Sequence, residues 1–95
     1  MKNISSITTN YKSNYKKICD VRFKVFVDEQ NVPEELEIDG FDDDATHALI
    51  LLDNKAIGTG RILSDGHIGR VAVLQKYRGQ GVGKLIMKML IEWAQ

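Results

Sequence analysis

Ninety-five residues, 43% hydrophobic and 27% charged, bound this chain to one small domain built round one core, residues 1–95. The longest apolar run, Ala48 to Leu52, is too short to cross a bilayer, and the start, Met1 to Ser6, lacks the apolar centre of a secretion signal. The single cysteine, Cys19, excludes an internal disulfide, so the expectation is a cytoplasmic protein without membrane attachment. The formal net charge is zero, but its distribution is uneven. Met1 to Val27 holds six Lys/Arg against one acid, Asp28 to Asp44 nine acids and no base, and Ala45 to Gln95 seven Lys/Arg against three acids. No basic stripe with interleaved aromatics is present, which argues against nucleic acid as a partner.

In chain order, Ile4 to Thr8 reads as a short, β-branched edge strand. Tyr15, Ile18, Arg22, Val25 and Phe26 recur at helical spacing, so a helix is expected over Tyr15 to Val27, with Asn14 as its cap and Cys19 as a core thiol. Pro33 to Leu36 suits a short helix stopped by Gly40. Asp42-Asp43-Asp44 lacks the spacing, glycine and distal glutamate of a calcium loop, and no metal is expected. Thr46 to Leu52, Ala56 to Leu63 and His67 to Leu74 read as three strands. Their connections, Asp53-Asn54-Lys55 and Ser64-Asp65-Gly66, are short enough to make an antiparallel meander. Gly58, Gly60 and Gly69 inside these strands mark bulges or a close backbone approach. Val82, Leu85, Ile86, Met89, Leu90 and Trp93 then form one apolar helical face packed on the sheet, opposite Lys84, Lys88 and Glu92.

The stretch Arg78-Gly79-Gln80-Gly81-Val82-Gly83 joins the last strand to the last helix. Its glycines let the backbone bend and come close to a ligand. The N–H groups opening the helix have no partner inside it, and the helix dipole, Arg78 and Lys84 add positive charge there. A phosphate or diphosphate held by backbone amides is the expected ligand. A tight turn that binds nothing is the plainer alternative. The dinucleotide fingerprint needs G-x-G-x-x-G, and the P-loop needs Ser or Thr after its lysine; here Leu85 follows Lys84.

This stretch resembles the (Arg/Gln)-x-x-Gly-x-(Gly/Ala) signature of the GNAT N-acetyltransferases. Val71-Ala72-Val73-Leu74 is similar to that family's fourth strand. Asn31-Val32-Pro33 within Val25 to Asp39, followed by Thr46-His47, resembles one bacterial branch of it. The likeness runs from about Tyr15 to Gln95. It implies an α/β (α+β) fold, a mostly antiparallel sheet with flanking helices in the order β-α-α-β-β-β-α. It implies acetyl-CoA as co-substrate, with its diphosphate on Arg78, Gly79, Gln80, Gly81, Val82, Gly83 and Lys84 and its pantetheine arm along Val71, Ala72 and Val73. The implied reaction is transfer of acetyl to a primary amine of a small molecule or peptide, by direct attack. The acidic middle beside a basic C-terminal half suits an anionic cofactor facing a cationic amine.

Such a transfer needs a base, an oxyanion donor and an acid for the leaving thiolate. A strand N–H near Val73 is placed for the oxyanion. His47 is a candidate base, as are Glu29, Glu37 and Asp39 acting through water. Arg70 is expected to pair with an acid of the middle segment. In many members of the family the acid is a tyrosine in a later helix, which would follow Gln95, so the C-terminal part of the fold is expected to be absent here. The chain is then a portion of a longer one, or is completed by another copy, or is a CoA-binding regulatory module without turnover. The uncovered edge of the strand His67 to Leu74 leads to an expectation of homo-oligomers.

Overall fold

Four strands make one antiparallel sheet: β1 (Ile4–Thr9), β2 (Thr46–Leu52), β3 (Lys55–Ile62) and β4 (Ile68–Val73), side by side in that order. The protein is described by a computed structural model over residues 3–95. The reading of the chain start as free of a secretion signal rests in part on Met1 and Lys2, which lie outside the described residues. The element order is the expected β-α-α-β-β-β-α, with α1 (Tyr11–Arg22), α2 (Glu34–Glu37) and α3 (Val82–Ala94). Short 3-10 turns at Asp42–Asp44 and Gln75–Tyr77 complete it.

The β2–β3–β4 meander follows from its tight turns. Asp53 and Asn54 both hold positive φ, 51° and 68°, the pattern of a two-residue hairpin whose twist matches the strands it joins. Local sequence does not specify that β1 lies antiparallel on β2, with Ile4 opposite Leu52 and Thr9 opposite His47. β2 is an unbroken apolar run because both its faces are covered. Leu49 and Leu51 pack with Ile18, Val21 and Val25 on the α1 side. Ala48 and Ile50 pack with Val82, Ile86 and Leu90 on the α3 side. Burial along β2 is therefore continuous and does not alternate between faces.

Several expectations are corrected. The first helix begins at Tyr11, and Asn10 caps it through Oδ1, which accepts from the Ser13 N–H at 2.8 Å. Asn14 lies inside the helix at φ −139°, ψ 25°, where its Nδ2 donates to Thr9 Oγ1. Asn10 wins because it directly follows the strand and reaches the amide three residues on. After Arg22 the chain widens into a π-helix, Phe23–Glu29, closed by Asn31 at φ 59°. Trp93 does not complete the core: it is 57% exposed, at the last turn of α3. Cys19 is half-buried, with its Sγ 2.9 Å from the Tyr11 hydroxyl.

Gly58 and Gly60 open no space for a ligand; they bring α3 down onto the sheet. A Cβ at Gly58 would sit 2.7 Å from Val82 Cγ1, and one at Gly60 would sit 2.6 Å from Ile86 Cγ2. The bulge in β4 falls at Arg70 and Val71. Thr59 and Arg61 of β3 face Ala72 and Gly69, so β4 carries one residue more over that interval. Arg70 adopts φ 51° there. Beyond β3, β4 pairs with no other strand among the described residues. No helix of the described residues is long and apolar enough to cross a membrane.

Candidate functional site

β4 delivers the chain through Gln75–Tyr77 into the glycine turn and then α3. Gly79 and Gly81 hold φ 78° and 87°, where a side chain would be strained, and an added Cβ at either would meet no atom within 4 Å. The glycines are therefore required by backbone conformation, and the space above them is open. Gly83 has ordinary φ and approaches only Val73 Cγ2, at 3.9 Å. Gly81 is the N-cap of α3 and offers no side-chain acceptor. The N–H groups of Gly81, Val82, Gly83 and Lys84 find no acceptor among the described residues. Lys84 and Gln80 are exposed beside them.

Arg78 is oriented by three hydrogen bonds. Its Nε donates to the Val73 carbonyl at 2.9 Å, which pins the turn to the end of β4. Its Nη1 and Nη2 hold both oxygens of Glu29, at 2.5 and 2.8 Å. The π-helix brings Glu29 to this place. The Arg78 hydrogen bonds keep the Glu29 carboxyl below its ordinary range.

The acidic middle segment behaves differently. Glu37, Asp39 and Asp42 meet Arg22, Arg61 and Arg70, three carboxylates against three guanidiniums. Arg22, 1% exposed, donates from Nε to Glu37 Oε1, from Nη1 to Asp42 Oδ1 at 2.7 Å and from Nη2 to the Glu37 carbonyl. Arg61 grips both Asp39 oxygens and shares Asp42 Oδ1. Arg70 Nη2 reaches the carbonyls of Leu36 and Glu37 and Asp39 Oδ2. The pairing of Arg70 with an acid is thus as expected, and it ties the bulge of β4 to the end of α2.

The candidate bases sit in or beside these networks. The Arg61 hydrogen bonds hold Asp39 far below the usual carboxylate range. Burial raises Asp42, but the bonds from Arg22 and Arg61 outweigh it, and the net shift is downward. His47 is 1% exposed, with Nε2 3.1 Å from the Asp42 carbonyl, so that nitrogen carries the proton. Burial pushes the His47 pKa down against the pull of Asp42. His47, Asp39 and Glu37 gather in one cluster; Glu29 stands apart, with the glycine turn.

Comparison with known proteins fixes the lineage. The profile of the Acetyltransferase (GNAT) family matches residues 13–95. The chain belongs to the GNAT family. Among curated GNAT relatives, the uncharacterized N-acetyltransferase YjcF of Bacillus subtilis is 44% identical over 90 residues, covering 92% of this chain and 64% of YjcF. The chain thus spans less than two thirds of the length of the curated relatives it matches. Among solved structures, ElaA of Escherichia coli is 31% identical with a TM-score of 0.81, covering 95% of this chain and 68% of ElaA. An acyl-CoA N-acyltransferase from Pseudomonas aeruginosa is 27% identical with a TM-score of 0.83, covering 96% of this chain and 70% of that one. Within this GNAT chain, sequence reasoning missed Arg61 and the shared role of Asp42. The available signal was an arginine inside a strand, Lys55–Ile62, that after its first residue is otherwise built of small and apolar residues.

Proposed function

We propose that this chain carries the acetyl-CoA site of an N-acetyltransferase and transfers acetyl to a primary amine. The observation that carries the reading is the set of unpaired amides at Gly81, Val82, Gly83 and Lys84, directly after a bulged strand. In this reading Gly79 to Lys84 hold the diphosphate, as helix N-termini do for anions. Val71, Ala72 and Val73 carry the pantetheine arm along the open edge of β4. The ammonium of the acceptor first gives a proton to water. The neutral nitrogen then attacks the thioester carbonyl carbon, the C–S bond breaks, and the nitrogen's second proton passes by way of water to the departing thiolate, leaving the amide and CoA. The products are the acetylamine, CoA and the proton released. Glu29 and Asp39, held by arginines, serve as anchors in this scheme and not as bases, and buried His47 serves the fold.

The test is thermal protection by CoA together with thiol release from acetyl-CoA in the presence of a panel of amines. A ligand that binds the folded but not the unfolded chain raises the melting temperature. The reading requires both protection and amine-dependent thiol release. Protection without release would favour a CoA-binding regulatory module. An unchanged melting temperature at high CoA would remove the acetyl-CoA site altogether.

A further inference from the structure

The two edges of the sheet are finished differently. β4 carries a bulge and an arginine at positive φ, and both blunt an edge against pairing. β1 carries neither. From Asn3 to Tyr11 the chain has no charged residue, no proline and no glycine. All of β1 except Thr9 is exposed, and none of it joins the clusters that α1 and α3 bury against the sheet. The ladder fixes which backbone groups are left over. The Asn3 carbonyl accepts from the Asp53 N–H at 3.3 Å, so Asn3, Ser5, Ile7 and Thr9 turn their groups toward β2. Ile4, Ser6 and Thr8 turn theirs outward, where no strand lies among the described residues. Beside the end of this edge a cavity of about 300 Å³ is lined by Thr8, Thr9, Asn10, Thr46 and Trp93. Ile4 and Thr8 stand opposite Leu52 and Ala48, on the face of the sheet that α3 covers.

We infer that β1 pairs antiparallel with β1 of a second copy of this chain, about a two-fold axis through Ser6 and perpendicular to the sheet. The outward N–H and C=O groups then exchange completely: Ile4 with the partner's Thr8, Ser6 with the partner's Ser6, and Thr8 with the partner's Ile4. An axis at Ser5 or Ile7 would pair only two outward residues of each strand. The axis keeps the α3 faces of both copies on one side, so the partner's Ile4 lands beside Thr8, at the mouth of the cavity under Trp93. Ile4 is 39% exposed and Trp93 57%, and each covers the other across the interface, twice over. Self-pairing sets every residue near the axis against its own copy, which a charge would forbid; β1 has none. The inference stands apart from the acetyl-transfer reading, because β1 and β4 are opposite edges of the sheet.

The experiment is sedimentation velocity on the full chain across the micromolar range. The weight-average mass should rise with concentration from 10.7 kDa toward twice that value. Ser6→Pro removes an outward N–H and leaves the β2 ladder intact, as an edge strand tolerates, and should hold the mass at one chain. Ser6→Lys and Ser6→Glu should each stay at one chain, and their equimolar mixture should recover the dimer, since opposite charges then meet at the axis. This pair decides the matter even where the proline variant fails to fold. Trp93→Ala should weaken association several-fold. A natural chain that stays at one-chain mass overturns the inference, whether its edge is bare or taken by an extended segment of another protein. Undiminished dimer in folded Ser6→Pro overturns it, as does a Lys/Glu mixture that stays at one chain. Unchanged association in Trp93→Ala overturns the register. Thermal protection by CoA should be the same in Ser6→Pro as in the natural chain, so loss of the dimer and loss of the CoA site are separate results.

Discussion

Two charged regions adjoin β4, one tied to its bulge through Arg70 and one following its end, and they use their charges in opposite ways. In the segment from Glu37 to Asp42, carboxylates pair with arginines, only Arg61 Nε and Arg70 Nε being buried without a partner among the described residues, and Arg22, Glu37 and Asp42 are buried. At the glycine turn, the amides of Gly81 to Lys84 satisfy nothing within the chain. The first region is a clamp, and the second leaves its donors open, as the proposed diphosphate site requires. Charge read from sequence counts both as electrostatic features. Only the partners tell which is spent on the fold and which stays open.

The largest effect expected from breaking this contrast is on the clamp. Arg22→Met strands Glu37 and Asp42 without their partner, and losing one side of a buried pair costs about 3–5 kcal/mol. Urea unfolding should place the variant near or below the threshold of folding. A loss under about 1 kcal/mol would mean the network is solvated and the contrast false.

At the turn the order of effects reverses. Gly81→Val forces a β-branched residue to φ 87°, at a stability cost of about 1–2 kcal/mol, and removes thermal protection by CoA. Protection that survives in the variant would show that the amides are not the diphosphate site.

Acidification tests the clamp by titration. His47 has a lowered pKa in the folded chain, and Asp39 and Asp42 are lowered as well. In each case the unfolded chain binds protons first as pH falls. Stability should therefore be full above the unfolded histidine value of about 6.5, decline below it through His47, and decline again below about 4 through the aspartates. His47→Gln should flatten the first decline in denaturation curves taken between neutral pH and pH 5. An unchanged slope would place His47 in contact with water.

The smallest expected effect sharpens the boundary between the regions. Glu29→Gln weakens the hold on Arg78 and removes a negative charge next to the proposed diphosphate. CoA should bind a few-fold tighter, more so at low salt, with little change in melting temperature, since the pair is exposed. Weaker binding of CoA would instead mean that Glu29 orients Arg78 for the ligand.

Much of this was legible in advance because the signals are local. Tight turns dictate the β2–β3–β4 meander, and the helical repeat from Val82 to Leu90 dictates α3. Glycine at 79 and 81 answers to positive φ, which any reader of the loop can infer. Acid count in the middle segment was legible, but acid fate was not. Pairing of Arg22 with Glu37 spans 15 residues, and that of Arg61 with Asp39 spans 22, separations across which no periodicity in the chain carries information.

By itself, then, the sequence determined the element order, the meander, the packed face of α3 and the family of the turn. These depend on backbone preferences and on apolar spacing within one element. Tertiary structure alone decided that β1 joins β2, that the bulge falls at Arg70 and not Gly69, that Trp93 stays exposed, and that Glu37, Asp39 and Asp42 are spent on arginines. Those outcomes depend on which groups lose water together, and that is fixed only when distant segments are brought into contact.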